Sequence, residues 1–227
     1  MISPTVRNLV FRAVDGDPIG FVAGQWVNLF LPWQGETVRR AYSIASWPGY
    51  PRPDELEIAV TLVPDGPAST ALHTMEVGAR IEMEGPWGVF TRERGDPERP
   101  MIFVGTGTGV TPLRSMIHAD LEERPQGPPL LLLFGCRTEE EILFRIYLED
   151  LATHHPRLRY HFTLSRAPEN WGGRSGYVQK HLPELYGSLA PAHVFICGLS
   201  GMVAEVRRLL KEDLGLDRKS IHAERYD

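Results

Sequence analysis

The apolar residues of this 227-residue chain change their spacing once, between residues 90 and 100. Before that point they alternate with polar residues, as in Glu-Leu-Glu-Ile-Ala-Val-Thr-Leu at residues 55–62 and Arg-Ile-Glu-Met-Glu at residues 80–84. Turn signals rich in Gly, Pro and Asp separate such runs at residues 15–18, 48–51 and 65–67. Alternation is typical of short strands with one buried face. The first part therefore predicts an antiparallel β-barrel or sandwich.

After Pro100 the apolar residues form continuous runs at residues 101–104, 130–134 and 193–197. Such runs are typical of parallel strands that are covered on both faces. Segments with helical spacing lie between them, at residues 111–123, 139–151 and 200–210. This alternation predicts a doubly wound α/β domain with a parallel sheet. The charged segment 92–99 is interpreted as the linker, which gives domains at residues 1–97 and 98–227.

Composition excludes several classes of function. The net charge of −5 supplies no basic field for nucleic acid, and we see no basic amphipathic helix for a membrane surface. The two cysteines, Cys136 and Cys197, cannot build a four-thiolate cluster or a Cys-rich zinc site, and both read as buried free thiols. The eight histidines show no metal-ligand spacing, so no metal is expected.

Residues 1–4 do not resemble a signal peptide, and the apolar run 130–134 is too short to span a bilayer. We therefore expect a cytoplasmic protein.

Residues 39–46, Arg-Arg-Ala-Tyr-Ser-Ile-Ala-Ser, carry three groups that suit a phosphorylated aromatic cofactor. Arg40 can pair with a phosphate, Tyr42 can stack on a flat ring, and Ser43 can hydrogen-bond a ring nitrogen. Side chains two residues apart on a strand share a face, so Arg40 and Tyr42 point the same way. A strand that only turns its polar side to solvent explains this segment equally well on its own.

Three further segments follow strands. Gly-Thr-Gly-Thr-Gly-Val-Thr-Pro at residues 105–112 comes after a buried strand and opens a helix, where backbone N–H groups favour a pyrophosphate. Its spacing is neither the Rossmann nor the NTPase pattern. Residues 66–72 read as a helix N-terminus at which Ser69 and Thr70 can donate to phosphate, although a plain helix cap explains them better in isolation. Cys-Gly-Leu-Ser-Gly-Met at residues 197–202 ends a parallel strand, where ligands sit in open sheets, although a buried thiol and a strand-to-helix turn explain it equally.

Taken together, these motifs resemble those of the ferredoxin–NADP(+) reductase family, of the bacterial type, from end to end. Arg-x-Tyr-Ser at 40–43, Gly-x-x-Ser at 66–69, Gly-Pro-Trp-Gly-Val-Phe at 85–90, the loop at 105–112, the segment at 197–202 and Glu-Arg-Tyr at 224–226 occur in the family's order. The resemblance implies a six-stranded antiparallel FAD-binding barrel followed by a nicotinamide-nucleotide domain. Family members usually have about one more strand before Ile2, so the resemblance implies that the barrel's first strand is missing, truncated or misannotated here.

The resemblance also implies roles for single residues. Arg40 would pair with the FAD pyrophosphate, Tyr42 would pack on the flavin, and Ser43 would hydrogen-bond flavin N5. Gly66 and Ser69 would hold the pyrophosphate from a helix end. In the C-terminal motifs, Cys197 would lie beside nicotinamide C4, Glu224 would supply charge or a proton link, and Tyr226 would cover the flavin face that nicotinamide enters. Asp227 adds a terminal charge that we expect to weaken or reposition this cover.

Arginines near strand ends favour NADPH over NADH, because a 2′-phosphate requires cations where an NAD site has Asp or Glu. Arg137, the pair Ser165-Arg166 and Arg174 match the phosphate-binding positions of bacterial NADP-type reductases. Each could equally be a solvated surface residue, and three glutamates at residues 139–141 lie near Arg137, so NAD stays possible. The cofactor-binding set comprises Arg40, Ala41, Tyr42, Ser43, Gly66, Ser69, Thr70, Gly105, Thr106, Gly107, Thr108, Gly109, Thr111, Pro112, Arg137, Ser165, Arg166, Arg174, Cys197, Gly198, Met202 and Tyr226. The catalytic set comprises Ser43, Cys197, Glu224 and Tyr226.

We accordingly expect an FAD-containing oxidoreductase that passes electrons between NADPH and a separate carrier, a ferredoxin or flavodoxin, and that acts as a monomer. One alternative is an NADH-dependent reductase component of a multicomponent oxygenase, which shares every motif except the phosphate-site arginines. Another is a non-catalytic flavin-binding electron-transfer subunit within a larger complex. The nucleotide preference and the ability to reduce artificial acceptors separate the three.

Overall fold

The computed structural model describes residues 1–226, and Asp227 with its expected effect on the tyrosine lies outside the described residues. In the described part, the strands of the first half are Val6–Arg12 (β1), Trp26–Trp33 (β2), Glu36–Ser43 (β3), Glu55–Thr61 (β4) and Glu82–Trp87 (β5). Those of the second half are Met101–Thr106 (β6), Leu130–Cys136 (β7), Leu158–Leu164 (β8), Arg174–Ser175 (β9), His193–Leu199 (β10) and Ile221–Tyr226 (β11). The α-helices are Pro67–Thr74 (α1), Val110–Glu123 (α2), Arg145–His154 (α3), Val178–Gly187 (α4) and Ser200–Arg208 (α5).

The first half forms two antiparallel sheets, ordered β3-β2-β5 and β1-β4. A single bridge between Ile44 and Ile58 joins them. Alternate residues of the strands, among them Leu29, Leu31 and Leu56, are fully buried in the core that the two sheets enclose. The predicted antiparallel class is confirmed, with five strands among the described residues instead of the six that the resemblance implies.

The second half is a parallel sheet in the order β11-β10-β6-β7-β8-β9. Helices α2 and α3 cover one face, where Phe103, Leu132 and Phe195 are buried, and α4 and α5 cover the other. From β6 the chain adds β7, β8 and β9 on one side of the sheet and then returns to add β10 and β11 on the other side. The carboxyl ends of β6 and β10 therefore meet at the switch point, where open α/β sheets bind ligands. The predicted doubly wound sheet is confirmed.

Two helices differ from the prediction. The segment predicted as one helix at residues 139–151 contains a 3-10 turn, Glu139–Glu141, and α3 begins only at Arg145, because Phe144 adopts a left-handed φ of 56°. Helix α4 was not predicted, since it is short and contains Pro183, a residue that normally disfavours a helix interior.

The linker segment 92–99 is attached to the second domain at several points. The Asp96 backbone N–H donates to His193 Nε2 at 3.0 Å, and Arg92 Nη1 lies 3.3 Å from the buried Asp120 carboxylate. Trp47 and Phe90 from the first half share a core with Leu113 of α2. The two halves are therefore packed together, while the boundary between residues 97 and 98 stays a prediction.

None of the helices in residues 1–226 combines the length and apolar character that crossing a membrane requires.

Candidate active site

A hydrogen-bonded junction joins the two domains at Ser43. This serine ends β3 and is 8% exposed. Its hydroxyl donates to Glu224 Oε1 at 3.2 Å, and it accepts a short hydrogen bond from the Tyr226 hydroxyl. Glu224 and Tyr226 belong to the last strand, β11, of the other domain. Three of the four predicted catalytic residues thus meet in one contact.

Cys197, the fourth, lies beside them on β10. The parallel register of β10 and β11 places Cys197 opposite Glu224, and the cysteine is fully buried. Burial raises the pKa of the Cys197 thiol, and the nearby Glu224 charge adds to the effect. The thiol therefore stays protonated at neutral pH.

Burial also raises the pKa of Glu224, while the hydrogen bond from Ser43 favours its charged form and opposes the shift. The pKa of Tyr226 lies well above its ordinary value, again mainly because of burial. Tyr226 consequently remains a hydrogen-bond donor, and Glu224 can hold a proton at a higher pH than a solvated glutamate. The arrangement is a chain of groups that can orient or carry a proton between the domains.

The Gly-rich loop contacts the same junction through Thr111. Thr111 Oγ1 lies 3.5 Å from the Tyr226 hydroxyl and donates to the Thr108 carbonyl at 2.8 Å. The end of the tyrosine ring is thus fixed between β3 of the first domain and the loop that opens α2.

A cleft of about 810 Å³ opens at the carboxyl ends of the parallel strands beside this junction. Two glycines form the contact between the turns at its base. A Cβ on Gly109 would lie 2.3 Å from the Cys197 carbonyl oxygen, and a Cβ on Gly198, whose φ is +142°, would lie 2.3 Å from Thr106 Oγ1. Predicted residues that line the cleft are Thr106, Gly107, Thr108, Arg137, Ser165, Arg166, Gly198, Met202 and Tyr226.

The cleft fits a nicotinamide nucleotide. Its volume is that of a site for a small organic molecule. Thr106 lines the cleft, and its Oγ1, which is buried close to Gly198, has no hydrogen-bond partner among residues 1–226. Gly105, Gly109, Thr111 and Pro112 are buried beneath the loop and shape it, so they do not line the cleft themselves.

Two predicted phosphate-site arginines stand side by side at the far end of the cleft. The Arg166 backbone N–H donates to the Arg137 carbonyl at 2.9 Å, and the Ser165 N–H donates to Cys136 at 3.0 Å. Pairing of β7 and β8 thus continues past the strand ends and holds both arginines at the cleft. Both are exposed, and within residues 1–226 neither guanidinium forms an ion pair. They are available for an anionic group.

The structure does not bring Arg174 to this cleft. Its guanidinium makes two hydrogen bonds to Glu184 of α4, at 2.9 and 3.0 Å, and it lines a separate depression with Trp171. Ser69 also departs from expectation. Its hydroxyl is buried, accepts from the Val63 N–H at 3.1 Å and donates to the Gly66 carbonyl at 3.0 Å, so it holds its own turn.

The residues predicted to bind FAD in the first domain lie on β3 and at the start of α1. Tyr42 is half-buried, and burial raises its pKa while the charge of Arg40, two residues before it on β3, opposes the shift. Arg40 itself is exposed, as is Ala41. Helix α1 begins after Gly66 with Pro67 at its first position and with no side-chain cap, so its first N–H groups remain available, with Thr70 in the first turn. Such a helix end fits a phosphate group.

Sequence reasoning missed part of the cleft. Tyr177, Gln179 and Glu205 also line it, from α4 and α5. Tyr177 is 72% exposed and immediately precedes α4. Its place in the cleft could be recognised only after that helix had been located.

Comparisons with known proteins agree with this geometry. A model of the oxidoreductase FAD-binding domain matches residues 1–91, and a model of the oxidoreductase NAD-binding domain matches residues 103–208. The chain is 53% identical over 233 residues to ferredoxin–NADP reductase B of Sorangium cellulosum, covering 100% of this chain and 93% of that protein. It is 32% identical over 227 residues to DmpP, the reductase component of a Pseudomonas phenol 2-monooxygenase, covering 96% of this chain but only 62% of that protein.

Among solved structures, a ferredoxin NADP(+) reductase from Neisseria gonorrhoeae with bound FAD and NADP superposes with a TM-score of 0.83 at 26% identity, covering 98% of this chain and 93% of that one. An Amycolatopsis cytochrome P450 reductase, GcoB, superposes with a TM-score of 0.88 at 28% identity, covering 99% and 66%. The matched domains, their order and the full-length relative lead to one conclusion: the chain belongs to the ferredoxin–NADP(+) reductase family of flavoprotein oxidoreductases.

Proposed function

We propose that this chain is an FAD-dependent oxidoreductase that passes electrons between NADPH and a separate one-electron carrier of the ferredoxin or flavodoxin type. The contact of Ser43 with Glu224 and Tyr226 carries the proposal, because it lies where a flavin-binding sheet and a nucleotide cleft meet. Bound FAD supplies the chemistry that links two-electron hydride transfer to single-electron steps. The protein supplies binding, orientation and electrostatics.

Each group of residues has a distinct task in this proposal. Arg40, Tyr42 and the start of α1 bind FAD. Ser43 would hold the flavin ring through its hydroxyl, and Glu224, which keeps a proton more readily than a solvated glutamate, would hold a proton beside it. Tyr226 excludes water from the site until nicotinamide enters.

Anaerobic mixing with NADPH tests the proposal. We expect the purified protein to be yellow and to lose its flavin absorbance on mixing, and we expect later addition of oxidised ferredoxin to restore it. In the control, buffer is added in place of ferredoxin. Flavin that NADPH fails to reduce would contradict an enzymatic role and favour a non-catalytic flavin-binding subunit.

Arg40→Ala is expected to weaken FAD retention. A lost charge-assisted hydrogen bond costs about 1.5–3 kcal/mol, which is about 10- to 150-fold in the FAD dissociation constant. Released cofactor after dialysis, identified by chromatography, measures the loss. Arg39→Ala is the matched control, because Arg39 precedes Arg40 on the strand and pairs with Glu84. Equal retention in the two variants, or release of FMN instead of FAD, would contradict this site.

Arg166→Ala is expected to raise the KM for NADPH by about 10-fold or more and to leave the KM for NADH nearly unchanged, because it removes a cation from the 2′-phosphate position. Arg137→Ala should act in the same direction. Arg174→Ala is the control and should change the ratio least, since Glu184 already holds its guanidinium. Steady-state kinetics with both nucleotides decide the point. An equal loss with NADH would mean that Arg166 does not read the phosphate.

The same kinetics test the alternative of an NADH-dependent oxygenase component. Relatives of that kind match at lower identity, such as DmpP at 32%, and a preference for NADH in the unmodified protein would favour it. We also propose that the protein is a monomer and that it is located in the cytoplasm. Size-exclusion chromatography with light scattering, and fractionation of the producing cells, test these two statements.

A further inference from the structure

We infer that Arg114 is a positioning residue for hydride transfer, because its buried ion pair with Glu57 fixes the nucleotide loop relative to Ser43. This inference rests on the proposed function. It assigns a role in the reaction to a residue that touches neither the cleft nor the Ser43 junction. The argument depends on what Arg114 contacts and on where those contacts lie along the chain.

Arg114 crosses from one domain to the other. It lies on α2 of the nucleotide-binding half, is only 4% exposed, and its Nη1 lies 2.6 Å from Glu57 Oε2 on β4 of the first half. The same nitrogen donates to the Ala45 carbonyl at 2.9 Å. One guanidinium nitrogen therefore connects α2 to two separate segments of the flavin-binding half.

Aromatic rings hold the guanidinium in place. Its Cζ lies 4.4 Å from the centroid of Phe144, 4.5 Å from that of Tyr147 and 5.3 Å from that of Trp47. These distances are within the range of cation–π contacts. Trp47 comes from the first domain and the other two from the second, so the rings enclose the ion pair from both sides. The planar guanidinium has little freedom to reorient.

The groups that Arg114 connects lie close in sequence to residues of the proposed active site. Ala45 follows Ser43 by two residues, and its N–H donates to the Glu57 carbonyl at 2.8 Å. Arg114 follows Thr111 by three residues on one helix, and Thr111 lies 3.5 Å from the Tyr226 hydroxyl. A shift of α2 against β4 would consequently move the nucleotide loop relative to Ser43.

Stability alone does not explain such a pair. Desolvation of two buried charges often cancels their attraction, so a buried ion pair is weak evidence for stabilisation. It does define geometry, since separating the partners leaves a buried charge unpaired. Hydride transfer is sensitive to geometry, and a misplacement of about 1 Å can reduce a rate by about 100-fold. Removal of one partner is therefore expected to lower Tm as well as to disturb the geometry, and the test has to separate these two effects.

The test compares Arg114→Met, Arg114→Lys and Glu57→Gln with Arg157→Met. Arg157 is the matched control, because it pairs with Asp120 at 2.5 Å within the nucleotide-binding half. Stopped-flow mixing gives the rate of flavin reduction at saturating NADPH and the intensity of the charge-transfer absorbance. Titration gives the dissociation constant for NADP(+), and thermal unfolding gives Tm.

We expect flavin reduction at saturating NADPH to fall by about 10-fold or more in Arg114→Met and Glu57→Gln. The charge-transfer absorbance should weaken, while NADP(+) affinity stays within about 3-fold, since neither residue lines the cleft. Arg114→Lys should restore part of the rate. Arg157→Met should lower Tm without these changes. If Arg114→Met does not fold, the lysine and glutamine variants supply the same comparison.

A normal rate and normal charge-transfer absorbance in the folded variants, with only a lower Tm, would overturn the inference and leave the proposed function intact. A loss of NADP(+) affinity as large as the loss of rate would also overturn it, since that result would mean a binding role. If NADPH fails to reduce the flavin of the unmodified protein, the proposed function falls first, and this inference falls with it.

Discussion

Tyr226→Ser is expected to tighten NADP(+) binding by on the order of 10- to 100-fold. The tyrosine hydroxyl bonds to Ser43 and approaches Thr111, so in the proposed function the ring would occupy the space between the two domains that nicotinamide has to enter. Every contact of the ring in this closed state lowers the apparent affinity, because the nucleotide binds only the open fraction. The contacts together contribute about 2–3 kcal/mol, from two hydrogen bonds and aromatic packing.

Titration with NADP(+), followed by the flavin spectrum, measures this change. The variant should also discriminate less against NADH and should turn over more slowly, because a tightly held product leaves slowly. Tyr226→Phe is the matched control: it keeps the ring and removes the hydroxyl, so it should show a smaller increase in affinity. Unchanged affinity and no charge-transfer band in Tyr226→Ser would mean that the tyrosine does not cover the flavin.

The fold class was predictable because apolar spacing distinguishes antiparallel from parallel strands, although Glu55 and Glu57 of the alternating run are buried as well. The alternating run at residues 55–62 became β4, and the continuous runs at 101–104 and 130–134 became β6 and β7. Each of these signals comes from residues that are neighbours in the sequence, and each reflects how that strand packs in the core. Helix α4 has apolar residues at helical spacing, Val178, Leu182 and Leu185, but Pro183 within its ten residues argued against a helix.

The site was predictable only in part. Motif order indicated Ser43, Glu224 and Tyr226, and the structure brings them together. Whether an arginine is free was not predictable, because that depends on its partners. Arg166 forms no ion pair among the described residues, whereas Arg174 is held by Glu184 on α4, a helix that was not predicted.

The pair of Arg114 and Glu57 shows the same limit more clearly. The partners lie 57 positions apart in different domains, and each alone reads as a charged residue on an amphipathic element. Only the packing of α2 on β4 makes them a buried pair. Contacts between domains depend on how the two folded domains pack together, and no local sequence pattern specifies that packing.

Ser43→Ala is expected to lower the rate of flavin reduction at saturating NADPH by on the order of 100-fold. The hydroxyl accepts from Tyr226 and donates to Glu224, so its loss separates the two groups and leaves a half-buried carboxylate without that donor. The bond from Ser43 favours the charged form of Glu224, so its removal should raise the pKa of that carboxyl further above the ordinary value.

Two measurements follow from this argument. Stopped-flow reduction by NADPH gives the rate, and its pH dependence gives the titration that Glu224 controls, which should move to higher pH in the variant. Ser220→Ala is the control, because Ser220 is a buried serine outside the cleft whose loss should affect stability alone. A rate within about 3-fold of the unmodified protein together with an unmoved pH profile would mean that the Ser43 hydroxyl neither orients the reacting atoms nor sets the charge of Glu224, since a positioned catalytic contact is worth more than that.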